Sequence, residues 1–145
     1  MREKIQNDIK ICELKEKEFK DSIEKKWNCQ LKKLAIDYRF DYVVLKAGKI
    51  KAFLEIKKRN LMTDKYDDSM INLNKWMKAK ELRDSTKLPT ILACRYIDKD
   101  IYCILTDDTK YELRWGARTK NTRDWQDVQP AVHILMSEFK DLIYR

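Results

Sequence analysis

An α/β sandwich, with helices packed on the faces of a mixed sheet and a long helix at the N-terminus, is the fold the sequence predicts. Three observations lead to it. Apolar residues recur at near-helical spacing through the first part of the chain, pairs of two-sided apolar strands follow, and a capped amphipathic stretch separates those pairs. With 2 glycines and 2 prolines in 145 residues there are few breaks and no repeat or low-complexity tract, so long regular elements in one domain spanning residues 1–145 are expected.

From about Arg2 to Leu34 the stripe runs Ile5, Ile9, Cys12, Phe19, Ile23, Trp27, Leu31 and Leu34. It predicts a helical unit over residues 1–35, on the order of 50 Å long at 1.5 Å per residue. The early stripe is close to a 3.5-residue period, which suits packing against a second copy in a homodimer. A helix lying wholly across its own sheet is the other arrangement open to it. A first strand is expected from Tyr38 to Leu45, a turn at Lys46 to Lys49 in which Gly48 supplies backbone freedom, and a return strand from Ile50 to Lys57. Tyr42 to Leu45 and Ala52 to Leu54 are apolar on both faces, so both strands should be central.

A polar segment, Asn60 to Ser69, leads to a helix from Asn72, its cap, to Asp84, with Leu73, Trp76, Met77 and Lys80 on one side. Strands then follow over Thr90 to Ile97, Ile101 to Leu105 and Lys110 to Trp115. A polar loop from Gly116 to Pro130 carries Arg118, Lys120, Arg123 and Trp125. A last strand, Ala131 to Leu135, leads into a terminal helix near Ser137.

Hydrophobic residues at 43% and aromatics at 10% are globular composition, so the 39% of charged residues must coat a surface. The net charge of +8 and a pI near 9.2 favour phosphate-bearing partners. Cys12, Cys29, Cys94 and Cys103 form no CxxC pair and His133, the one histidine, is distant in sequence, which argues against zinc and for reduced, core-filling thiols. No apolar run reaches membrane-span length and the first residues are too polar for a secretory signal, so a soluble, cytoplasmic protein with no membrane partner is expected.

The chemistry concentrates in the predicted hairpin. Alternation along a strand sends Glu55 and Lys57 to one face and Leu54 and Ile56 to the other, and pairing of the two strands brings Asp41 toward Glu55. Two carboxylates suit a hard divalent cation, and a lysine beside them can serve a water nucleophile and a phosphate. Glu24, on the Trp27 and Leu31 side of the long helix, is the candidate third acid. An ordinary interstrand salt bridge would use the same residue types, but acids in central strands are costly to bury without a partner or a metal. Lys58 and Arg59, and Arg118, Lys120 and Arg123 with Trp125, are the candidate nucleic-acid contacts. His133 alternates with Val132 and Ile134 and reads as structural.

Asp41, thirteen residues, then Glu55-Ile56-Lys57, with an acid on the preceding helix, resembles the PD-(D/E)xK nuclease superfamily, which includes restriction endonucleases and Holliday-junction resolvases. The order of helix, hairpin, helix and strands matches over about Glu18 to Leu105. INLNKWMKAKEL, LPTILACRYID and the WGARTKNTRDWQDVQPAVHILMSEF tail look like small phage-type members, which extends the likeness to nearly the whole chain. Phe40 stands where the signature has proline. The resemblance implies a restriction endonuclease-like core and a magnesium-dependent hydrolase, with manganese an alternative, that cuts DNA as an endonuclease; RNA stays open as a substrate. It further implies that Asp41, Glu55 and the Ile56 carbonyl ligate the ion, that Lys57 serves the water and the scissile phosphate, and that Lys75 joins the site. A nucleic-acid-binding module without catalysis, and an assembly protein built on the long helix, are the other classes that fit the composition.

Overall fold

The computed structural model describes residues 2–35, 38–116 and 129–143, with backbone alone described for residues 2–13, 116 and 129. Two helices and nine strands are described: α1 (Arg2–Trp27), β1 (Gln30–Lys33), β2 (Tyr42–Lys46), β3 (Lys49–Lys58), β4 (Asp68–Asn72), α2 (Leu73–Thr86), β5 (Thr90–Arg95), β6 (Asp100–Leu105), β7 (Tyr111–Gly116), β8 (Gln129–Leu135) and β9 (Lys140–Asp141). They form a mixed six-stranded sheet in the order β1-β2-β3-β5-β6-β9 and a separate antiparallel sheet in the order β4-β8-β7. Within the larger sheet β3 and β5 are parallel and every other pair is antiparallel. A parallel pair needs a crossover, and α2 supplies it.

The α/β class follows from two apolar faces on the central strands. Leu54, Ile56, Ile91 and Ala93 meet Phe19 and Ile23 of α1, while Val43, Phe53, Leu92 and Cys94 meet Ala79 and Leu82 of α2 together with Ile71, Val132 and Ile134 of the smaller sheet. Strict alternation therefore sorts β3 into an α1 side and an α2 side. The β2–β3 turn places both Ala47 (φ 50°) and Gly48 (φ 73°) in the left-handed region, the requirement of a tight hairpin with the native twist.

Several boundaries differ from the sequence expectation. The first helix stops at Trp27: Asn28 turns the chain with φ 49°, a conformation asparagine tolerates, and Leu31 becomes the buried residue of β1. Its second half does lie on its own sheet, for Phe19 and Ile23 are fully buried, with the Arg95 guanidinium 4.8 Å from the centre of the Phe19 ring. The first hairpin strand begins at Tyr42, so Asp41 sits just ahead of it. The end of the polar Asn60 to Ser69 segment enters β4, and with it a second sheet that periodicity over five residues did not reveal.

Asn72 caps α2 by accepting a hydrogen bond from the Lys75 N–H at 2.9 Å, as its position suggested, but Met77 points away from the core and is 59% exposed. In place of a terminal helix near Ser137 there is a single 3-10 turn, Met136–Glu138, and then β9 at the edge of the large sheet. Cys94 and Cys103 are buried as free thiols, and burial pushes both upward, to about 11 and about 12. Among the described residues no helix is long and apolar enough to cross a membrane.

Phe19→Ala removes a fully buried ring between α1 and the sheet, and should lower the unfolding free energy by about 3–5 kcal/mol in a urea titration. A loss below about 1 kcal/mol would mean that α1 does not pack on the sheet in solution.

Candidate active site

β2 pairs with β3 as far as Tyr42 opposite Leu54, and the same register carried one residue further sets Asp41 opposite Glu55. Beyond the end of β2 the Asp41 side chain takes over from the backbone ladder: its Oδ2 accepts the Ile56 N–H at 2.9 Å, while its own carbonyl accepts the Leu34 N–H at 2.8 Å. Asp41 is thus fixed at both ends. Its position is set by β1 on one side and β3 on the other.

Glu55 is 3% exposed, in the middle of a strand flanked by β2 and β5. Its Oε1 lies 3.2 Å from Lys75 Nζ and 3.7 Å from Lys57 Nζ, and Lys75 also donates to Oε2 at 3.3 Å. Burial holds the Glu55 carboxyl above the usual carboxylate range, the charge of Asp41 adds to this, and the two lysines pull against it without cancelling it. Lys75 has a further tether, donating to the Arg39 carbonyl at 2.5 Å. Arg39 adopts φ 55°, uncommon for a side chain of its size, and the sequence offered no sign of this contact.

Asp41, Glu55, Lys57 and Lys75 are therefore brought to one place, on the α2 side of the sheet. Glu24 is elsewhere. Its helix packs on the opposite side, and its Oε2 accepts the Leu31 N–H at 2.9 Å, joining α1 to β1. Arg59, just past β3, donates from its guanidinium to the Met70 carbonyl, and Lys58 precedes it at the end of the strand. Arg118, Lys120, Arg123 and Trp125 lie outside the described residues.

Sequence reasoning treated His133 as structural and missed its partner, because β4 was not foreseen. His133 Nδ1 lies 3.1 Å from Asp68 Oδ1, and its Nε2 is buried with no hydrogen-bond partner among the described residues. The pair stands in the wall of a cavity of about 540 Å³ that Arg59 also lines.

Among the described residues no three His, Cys, Asp or Glu side chains are grouped as metal ligands. A hard cation at Asp41 and Glu55 would draw its other oxygens from backbone, water or substrate phosphate, which is how magnesium is commonly held. The donor set fits such an ion: two carboxylates, one of them buried at an energetic cost that a cation would offset.

Neither the curated proteins nor the solved structures yield a match to this chain. A family model does, over residues 9–142, a span that contains every residue of the cluster and both sheets. The chain belongs to the family described as phage putative PDDEXK endonuclease, a PD-(D/E)xK nuclease family.

Proposed function

We propose that this chain is a divalent-metal-dependent nuclease that hydrolyses phosphodiester bonds of DNA from within, as an endonuclease. The observation that carries the reading is the buried Glu55 carboxylate, set beside Asp41 and faced by two lysines. Asp41, Glu55 and the Ile56 carbonyl are the proposed ligands of magnesium or manganese. When bound, such an ion supplies Lewis-acid polarisation of the phosphate and acidifies water.

The side chains divide the remaining work. Asp41 is aimed by its hydrogen bond from Ile56, so the spacing of the two carboxylates is set by the sheet and not by loose rotamers. Lys57, a third exposed, is the one lysine of the pair that shares β3 with Glu55; its ammonium orients the attacking water and meets the charge that grows on the phosphate oxygens. Lys75 acts through Glu55: bridging that carboxylate and the Arg39 carbonyl, it is a positioning residue. Lys58, Arg59, Arg118, Lys120 and Arg123 contact the backbone of the nucleic acid, in keeping with a net charge of +8. A homodimer through the N-terminal half of α1 belongs to the same proposal, since two copies could address both strands of a duplex.

Supercoiled plasmid incubated with the protein and magnesium should be nicked and then linearised, and a chelator should stop this. Asp41→Asn and Lys57→Ala should each slow cleavage by about 10²–10³-fold while plasmid binding persists. Undiminished cleavage in chelator, or by Asp41→Asn, contradicts the mechanism.

Glu55 also predicts a conflict between stability and activity. An acid whose folded-state pKa is raised stabilises the fold below its ordinary value of 4.5, and that contribution is lost as pH rises through the folded-state value. Glu55→Gln should therefore be inactive yet more resistant to urea than the unmodified chain at pH 7, with the difference closing below about pH 4. Equal resistance at both pH values would show that Glu55 titrates as an ordinary carboxyl.

A further inference from the structure

We infer that the cavity past the end of β3, walled by Arg59, Tyr66 and Met70, is a subsite for one unstacked nucleotide of the substrate strand. The inference rests on the nuclease reading and adds to it a statement of how the strand next to the cut is held.

Strand geometry places the cavity in line with the cluster. Glu55, Lys57 and Arg59 follow one another on one face, and two residues of strand advance the chain by about 7 Å, so Arg59 stands a short step from Lys57. The Arg59 N–H continues the ladder to the Arg95 carbonyl, which keeps the residue aligned with β3. A volume of about 540 Å³ lies within the ordinary range for small-molecule sites.

The wall carries Arg59 and Arg114 beside Asp67 and Asp68, together with an apolar surface. Asp68 is committed to His133 at 3.1 Å and Arg114 at 3.5 Å, and Arg114 is also held by Glu112 at 2.6 Å. Arg59 has no carboxylate within ion-pair distance among the described residues, and its guanidinium donates to the Met70 carbonyl. That leaves it available to a phosphate. Tyr66 is 59% exposed and Met70 40% exposed, so a ring and a thioether face the opening.

Tyr66 is not on a loose loop. Asp98 accepts from both the Thr63 N–H (2.9 Å) and hydroxyl (2.5 Å), and the Ile97 N–H donates to the Leu61 carbonyl at 2.9 Å. An aromatic face held beside an arginine with no carboxylate partner among the described residues is the combination that takes a base by stacking and its phosphate by charge. The exposed Asp67, which also lines the cavity, opposes a second phosphate and can accept from a ring N–H or amine N–H of a base, the N3–H in the case of thymine. A base stacked within a duplex would not reach this cavity, so the occupant is a nucleotide swung out or already single-stranded.

The test is binding of fluorescein-labelled oligodeoxythymidylate, and of an equally long sugar-phosphate strand without bases, measured by anisotropy in chelator. Tyr66→Ala should weaken the first by about tenfold or more and the second by less than about twofold, Tyr66→Phe should restore the first, and Arg59→Ala should weaken both. Equal losses on both strands, or none on either, overturn the subsite. In the unsubstituted chain the Met70 methyl resonance should shift on titration with thymidine 5′-monophosphate, and an unmoved resonance also overturns it. Tyr66-dependent binding by a protein that cuts nothing upholds the subsite and removes the nuclease reading. Cleavage by a protein whose Tyr66→Ala form binds as tightly as the original does the reverse.

Discussion

Burying one carboxylate in the middle of a sheet is the constraint from which the rest of this structure follows. Glu55 is buried on β3 beside β5, one residue past the last pair with β2, and is reached by Lys75 of α2, where an unpaired charge would be strongly disfavoured. Lys75 and Lys57 reach it, but burial and the neighbouring Asp41 still hold it above the usual carboxylate range. A site built for stability alone would carry a neutral or apolar side chain here. Keeping a second acid beside a carboxylate that two lysines reach is what a centre for cation binding and phosphate chemistry requires, and the proposed function rests on that reasoning.

The placement depends in turn on the two faces of the large sheet being used differently. The α1 face is given to anchoring: Phe19 and Ile23 fill it, Glu24 binds the Leu31 N–H, and Lys26 reaches Asp100 at 3.3 Å. Burial alone would raise the Asp100 carboxyl, yet the hydrogen bonds from Arg95, at 2.8 and 2.9 Å, and the contact with Lys26 hold it below the ordinary value. With that face closed, the opposite one can carry polar groups at the open end of β3. The small sheet then adds the wall that Asp68, His133 and Met70 form beside Arg59.

Much of this was legible in the residues themselves. Alternation in Leu54-Glu55-Ile56-Lys57 assigned the faces of β3 correctly because this part of the strand lies clear of the register shift at Val44/Leu45, and Asn72 marked the start of α2 because a cap is a local device. What escaped was decided by contacts distant in sequence. Leu31 and Leu34 continued a helical stripe, but a left-handed Asn28 turned the chain away. Glu24, the candidate third acid, also accepts a backbone N–H of β1, a contact that its position on the stripe did not reveal. The second sheet escaped because β4 is five residues long with buried positions only at Ser69 and Ile71, too short a pattern to stand apart from a polar loop.

The most direct measurement is the carboxyl carbon resonance of Glu55 followed through a pH titration, with and without magnesium. Without the ion its midpoint should lie above the ordinary carboxylate value, and with saturating magnesium it should move well below, because cation binding favours the charged form. A midpoint that is raised but indifferent to magnesium would contradict the account, leaving Glu55 as a buried member of a lysine-bridged structural cluster.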